Sequence, residues 1–221
     1  MNDLLSNVLI QPKVLTPEAI DFLINHAENS DQEQMGVFDP ERANQKPDEI
    51  HPGKIDLSSR NVKCADIIPI LSEIKELYDN IVHNVINPFY GFKIRDSELP
   101  QLLVYKPGGH YQPHYDAVAK WKCPDGNIIW KKSIDRDIST VLFLNNDFEG
   151  GDFVFPDLRV TIRPEPGLLV AFPSSQFYLH KVEPVISGTR YTMVNWMTVQ
   201  GFKTKAEIDK ELSDKYGVKV V

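Results

Sequence analysis

Six histidines are spread along the 221-residue chain: His26, His51, His83, His110, His114 and His180. His114 is followed two positions later by Asp116. On a strand, residues i and i+2 face the same side and lie about 7 Å apart, so both side chains can lean onto one ion. His180 is the one histidine after His114, and it lies in a β-like run. Two imidazoles and one carboxylate on one face of a metal leave positions open, as in the facial triad of non-heme iron(II) oxygenases. Dioxygen and a second small ligand could then reach the same ion. Arg190 follows His180 by ten residues, across a turn at Ser187-Gly188. An inward-facing arginine is costly unless an anion pairs with it. A guanidinium grips a carboxylate bidentately. A dicarboxylate such as 2-oxoglutarate would chelate the metal with one end and reach Arg190 with the other. His110 has even strand spacing with His114 and is a rival ligand.

These residues need elements to hold them. Thr16-Pro17-Glu18 combines a capping hydroxyl, a first-turn proline and an acid at the positive end of a helix dipole. Ile20, Leu23, Ile24 and Ala27 continue at helical spacing. A longer helical stripe runs through Ile70, Leu71, Ile74, Leu77, Tyr78, Ile81, Val82 and Val85, with Asn87-Pro88 as its expected stop. Between the two helices, Ser30 to Arg60 is polar and without pattern, either a solvated loop or a functional lid. From Leu99 onward the chain changes to short β-like runs at 102–106, 127–131, 138–145, 152–155, 158–162, 167–172, 177–182 and 190–199. Many strands at near-regular spacing imply a barrel or double-sheet jelly roll. Pro124-Asp125-Gly126 supplies a hairpin turn. Thr204 and Glu207 form a capping box for a last helix that stops at Gly217. The expected fold is mainly β with helical support (α+β), in one domain. A helical and lid part spans 1–98, a β core 99–200 and a C-terminal helix 201–221.

The run Tyr105-Lys-Pro-Gly-Gly-His-Tyr111-Gln-Pro-His114-Tyr-Asp116 resembles the metal-binding strand of prolyl 4-hydroxylases. The resemblance continues through Ser139–Asn145, Glu149–Pro156, His180-Lys-Val-Glu-Pro-Val and Gly188-Thr-Arg190-Tyr-Thr-Met-Val-Asn-Trp196, so it covers about Leu102 to Val199. It implies a double-stranded β-helix (jelly roll, cupin-like) with N-terminal helices packed on one sheet. The implied activity is iron(II)- and 2-oxoglutarate-dependent hydroxylation of a prolyl residue in a peptide or protein, of the procollagen-proline 4-dioxygenase type. O2 is consumed, 2-oxoglutarate becomes succinate, and ascorbate assists. By position, His114, Asp116 and His180 would hold iron and Arg190 the distal carboxylate of 2-oxoglutarate. Tyr105 would bond the co-substrate near the metal. Thr192 and Trp196 share the face of Arg190 by even spacing. Arg60, Tyr111 and Trp196 are candidate substrate contacts, a surface arginine being the other reading of Arg60. The collagen-type enzymes place Lys where Arg190 stands, and some relatives place Tyr where Phe143 stands.

Composition narrows the alternatives. Lys plus Arg is 24 and Asp plus Glu 31, for a net charge of −7, and general nucleic-acid binding needs clustered cations instead. A same-fold oxygenase acting on nucleic acid or a small molecule is one rival, and a non-catalytic β-barrel binding module is another. Lys120, Lys122, Lys131, Lys132 and Arg136 with Trp121 and Trp130 mark a local basic patch over 120–136. It reads either as steering for an acidic substrate or as a solvated hairpin with its tryptophans packed beneath. Two cysteines, Cys64 and Cys123, lack Cys-x-x-Cys spacing and read as reduced thiols. Met1 to Pro17 lacks a basic n-region and cleavage site, and no apolar run approaches ~18 residues. Together these imply a cytoplasmic protein.

Overall fold

The computed structural model describes residues 2–37 and 54–220. Most of the expected lid, and His51, lie outside the described residues. What is described of that segment is its base, where Val37 and Lys54 form an antiparallel bridge.

A short helix α1 (Asn2–Leu5) and strand β1 (Leu9–Gln11) precede α2 (Pro17–Asn29). The Thr16 side chain accepts from the Ala19 amide, and Ile20, Leu23 and Ala27 face inward. Strands β2 (Gln32–Gln34), β3 (Arg60–Asn61) and β4 (Lys63–Ala65) follow. A 3-10 turn at Ile68–Ile70 then leads into α3 (Leu71–Ile81). Asn87-Pro88 does not end this helix. A π turn over Val82–Ile86 widens it, the Asn87 amide donates to the Val82 carbonyl, and α4 (Asn87–Tyr90) continues to a left-handed Gly91. Pro88 thereby falls in the first turn of a new segment, where its missing N–H is not needed.

The strands that follow are β5 (Ile94–Ser97), β6 (Gln101–Tyr105), β7 (His110–His114), β8 (Val118–Lys122), β9 (Ile128–Lys132), β10 (Ile138–Phe143), β11 (Glu149–Gly150), β12 (Phe153–Phe155), β13 (Val160–Ile162), β14 (Leu169–Pro173), β15 (His180–Val182), β16 (Val185–Ser187) and β17 (Arg190–Val199). The major sheet has the order β1-β14-β10-β17-β6-β4-β2, with β5 on the far half of β17. The minor sheet has the order β13-β12-β15-β7-β3. This is a double-stranded β-helix. The major sheet is covered on both faces, which is why its strands read as nearly continuous apolar runs. Leu102, Val104, Leu142, Met193 and Met197 pack outward against Leu23, Ile74, Tyr78 and Ile81 of α2 and α3. Leu103, Tyr105, Val141 and Phe143 point between the sheets and meet Phe153, Phe155 and Val182. No helix among the described residues is long and apolar enough to cross a membrane.

A last helix α5 (Lys205–Tyr216) carries the expected capping box, with a left-handed Gly217 behind it. It answers the question of the basic hairpin β8–β9. Lys131 Nζ lies 2.5 Å from Asp209 Oδ1, and Lys205 Nζ 2.5 Å from Oδ2. Lys132 pairs with Asp137 at 2.6 Å. The Trp121 ring meets Tyr216 edge-on, and Trp130 meets Tyr115. Much of the positive charge is thus neutralised within the fold, and the tryptophans pack onto it. Burial would raise the Asp209 carboxyl, but Lys131 and Lys205 hold it below the usual carboxylate range. Asp209→Ala would remove the carboxylate that Lys131 and Lys205 share. The expected loss is about 1.5–3 kcal/mol, the range of a charge-assisted bond. Urea unfolding of the metal-free protein measures it, and an unchanged midpoint would mean that the pair contributes nothing.

Candidate metal centre and active site

His114 and His180 face each other across the minor sheet, where β7 pairs with β15 and the two residues are direct register partners. Their ring centroids are 4.2 Å apart. His114 Nδ1 lies 2.9 Å from the Gln112 carbonyl and His180 Nδ1 3.0 Å from the Tyr178 carbonyl. With a proton on each Nδ1 to serve those carbonyls, both Nε2 lone pairs are free. Both converge on Asp116. His114 Nε2 is 3.6 Å from Oδ1, and His180 Nε2 is 3.5 Å from Oδ2. One donor atom from each residue falls within 4.8 Å of the others. The expected i, i+2 strand pairing of His114 and Asp116 is corrected in one respect. β7 ends at His114, and Asp116 sits on the bend that follows.

Electrostatics suit a cation. His114 shows 18% of its side chain at the mouth and is otherwise enclosed. Burial pushes its pKa well down, with His180 adding to the effect, so the imidazole is neutral and its lone pair available. Burial works to raise the Asp116 carboxyl. The two histidines, Ser139 and Trp196 outweigh it and hold the group ionised.

The second expected feature lies in the same cavity. Arg190, Thr192, Val194 and Trp196 on β17 all line it, as even spacing on an unbroken strand requires. Leu103 and Tyr105 on the neighbouring β6 line it too, a lead that the same alternation offers for Leu103 and Val194. Arg190 is 1% exposed. Its Nη1 donates to Thr192 Oγ1 at 2.8 Å, while Nε and Nη2 are buried with no hydrogen-bond partner among the described residues. Burial pushes its pKa down, with the Tyr105 phenol opposing. Phe143 brings no hydroxyl, but its ring centroid lies 5.3 Å from the guanidinium carbon, and the Tyr105 ring 4.7 Å. A buried cation with two unused donors is suited to pairing with a carboxylate. The donor set and this orphaned guanidinium therefore fit a metal and a dicarboxylate side by side. A roomier apolar groove lies between α2 and α3, but it holds none of these donors.

The structure places three further residues of interest. His110 is not part of the cluster. A bulge lies between the Tyr111–Val182 and His114–His180 pairs. It breaks the parity of β7, so Tyr111 joins His114 and His110 turns to the Ser58 and Gly108 carbonyls. Tyr111 stacks on the His114 ring at 3.5 Å between centroids. Arg60 is not a surface residue. It is buried over the Tyr111 ring, donating to the Gly36 carbonyl and to Gln101 Oε1, and it lines the cavity. Two neighbours of the site had no signal in sequence spacing. They are Ser139, joined to Ser174 at 2.7 Å, and Arg136, whose Nη1 donates to the Asp116 carbonyl at 3.2 Å.

A family model for the 2OG-Fe(II) oxygenase superfamily matches residues 100–198, the stretch that carries the three donors and Arg190. That stretch is similar to members of that superfamily. The oxygenase core is similar to prolyl hydroxylases. Prolyl 3-hydroxylase 2 of Rattus norvegicus is 30% identical over 115 residues, which is 44% of this chain and 16% of that protein. The match thus spans a small part of that relative's length. The viral collagen prolyl hydroxylase of Paramecium Bursaria Chlorella virus-1, a 2OG complex, shares the fold with a TM-score of 0.56 at 21% identity, covering 86% of this chain and 95% of that one. A Trichoplax adhaerens prolyl hydroxylase, in complex with a hypoxia inducible factor oxygen degradation domain peptide fragment, gives a TM-score of 0.57 at 16% identity, over 89% and 86% of the two chains. That similarity and the His114–Asp116–His180 cluster support iron(II) and 2-oxoglutarate as metal and co-substrate.

Proposed function

We propose that the chain is an iron(II)- and 2-oxoglutarate-dependent dioxygenase that hydroxylates a prolyl residue of a peptide or protein at carbon 4. The observation that carries this reading is the buried Arg190, whose Nε and Nη2 have no hydrogen-bond partner among the described residues, in the cavity that also holds His114, Asp116 and His180. Prolyl hydroxylases among its relatives, and a peptide fragment in complex with one neighbour of the same fold, support the substrate class. We assign ascorbate the role of keeping the metal reduced. We place the activity in the cytoplasm, in keeping with two cysteines that are both free.

His114 and His180 present Nε2 lone pairs, and Asp116 adds the negative charge that a divalent ion needs beside them. Arg190, helped by Thr192 and Tyr105, holds the far carboxylate of 2-oxoglutarate and so fixes how its 2-oxo acid end meets the metal. Bound iron and 2-oxoglutarate supply the oxidising chemistry, in which O2 is split between succinate and a new substrate hydroxyl, with release of carbon dioxide. Leu103, Val141, Phe153 and Val182 keep the inner cavity apolar, which strengthens each charge interaction there. Tyr111 and Arg60, together with Trp196, are the proposed substrate contacts.

The test is mass spectrometry of proline-containing peptides incubated with the protein, iron(II), 2-oxoglutarate and ascorbate. A gain of one oxygen on proline, matched by succinate formed, is expected, with 4-hydroxyproline on hydrolysis. 3-Hydroxyproline would overturn the position, and oxygen gained only on another residue would overturn the prolyl assignment.

A further inference from the structure

Of the three proposed ligands, Asp116 alone is not held by strand pairing. His114 and His180 are register partners in the minor sheet, and a ladder fixes their backbone. Asp116 follows the end of β7 on a bend and leads directly into the β8–β9 hairpin. Ser139 and Trp196 act on its carboxylate, and its main chain needs a hold of its own to stay convergent with two rigid imidazoles.

We propose that Arg136 is the positioning residue for Asp116, holding the ligand's backbone from outside the cavity. This rests on the reading that His114, Asp116 and His180 bind the metal. Arg136 Nη1 donates to the Asp116 carbonyl at 3.2 Å. The rest of the guanidinium is anchored. Nε and Nη2 donate to the two carboxylate oxygens of Glu98 at 2.5 and 2.7 Å, a fork that fixes the plane of the group. Its carbon lies 3.8 Å from the centroid of Trp196, whose other role is to line the cavity. Glu98 is tied in turn to the same strand as Trp196, since its amide donates to the Trp196 carbonyl at 2.9 Å. Arg136 therefore couples Asp116 to β17, the strand that bears Arg190. The hairpin adds a second tether beside it, with the Ser133 amide donating to the Ala117 carbonyl at 2.8 Å. Arg136 reaches neither the lone pairs of the triad nor the cavity. Its effect is on where the carboxylate points, as for the outer partners that orient metal ligands generally.

The experiment is a cobalt(II) titration of the whole chain, followed by d–d absorption, with cobalt standing in for iron without its oxygen sensitivity. Wild type is compared with Arg136→Gln, Arg136→Lys and Lys132→Gln, the last removing a different ion pair at the base of the same hairpin. Arg136→Gln is expected to weaken cobalt binding roughly ten- to a hundredfold, the usual effect of losing an outer partner, and to change the band pattern. Arg136→Lys keeps a charge for Glu98 but loses the fork, and should fall between. Lys132→Gln should bind as wild type. Wild-type affinity and spectrum in Arg136→Gln would overturn the proposal, as would an equal loss in Lys132→Gln. If Arg136→Gln does not fold, Arg136→Lys decides alone: wild-type affinity in it counts against the proposal, and a loss with an altered spectrum supports it. A wild type that binds no cobalt at all would instead bring down the metal reading on which the proposal rests.

Discussion

His180→Ala is expected to abolish succinate formation while leaving the barrel folded. The side chain is buried and ringed by Phe153, Phe155 and Phe172, so its loss opens a small apolar space and costs the fold a few kcal/mol at most. The cost to the site is far larger. Nε2 of His180 stands 3.5 Å from Asp116, and removing it leaves two of the three proposed ligands, too few to set a face. The activity should fall well beyond the roughly 10–100-fold typical of losing a mere outer partner of a ligand. His114→Ala and Asp116→Ala should do the same. Succinate release under saturating iron and 2-oxoglutarate is the measurement, with circular dichroism as the check on folding. Iron-dependent turnover persisting at the wild-type rate in His180→Ala would remove it from the ligand set.

The second large effect belongs to Arg190. Its Nε and Nη2 make no hydrogen bond in the described structure, and Nη1 is used by Thr192. A charge-assisted bond of this kind contributes about 1.5–3 kcal/mol net. Arg190→Met should therefore raise the 2-oxoglutarate requirement by roughly ten- to a hundredfold or more. Arg190→Lys should be milder, since it retains charge but loses the fork. Iron content should be unchanged in both, because the three donors stand on other elements. A 2-oxoglutarate titration at fixed iron decides it. Wild-type dependence in Arg190→Met would mean that a different cation holds the co-substrate, and Arg60, a second arginine lining the cavity, would be the next to change.

Sequence alternation was reliable where a strand runs without interruption. β17 pairs without a register shift from Arg190 to Met197, so Arg190, Thr192 and Trp196 could be placed on one face by counting in twos. The same counting failed on β7. One extra residue between its two pairings exchanges His110 for Tyr111 on the site face, and a bulge leaves no mark in composition that separates it from an ordinary Pro-containing edge. The helix that runs past Pro88 failed for a related reason. A π turn takes up the proline that would stop a regular helix. Arg60 could not be read as buried, because its partners Gly36 and Gln101 lie far from it in the chain. Arg136 is the extreme case. Twenty positions and a hairpin separate it from Asp116, and in sequence it is one more charge in a basic stretch. The fold class and the chemistry-bearing types were legible because metal ligation and carboxylate binding restrict residue type severely. The groups that orient them were not, since many residue types can hold a backbone carbonyl.

Iron and 2-oxoglutarate should occupy this one cavity together. A 2-oxo acid chelated to iron(II) under anaerobic conditions gives a visible metal-to-ligand charge-transfer absorption. The wild-type protein should develop that band only when both iron(II) and 2-oxoglutarate are added. His180→Ala should not develop it at all, and Arg190→Met should develop it at higher 2-oxoglutarate alone. No band in the wild type, or an undiminished band in His180→Ala, would contradict the account.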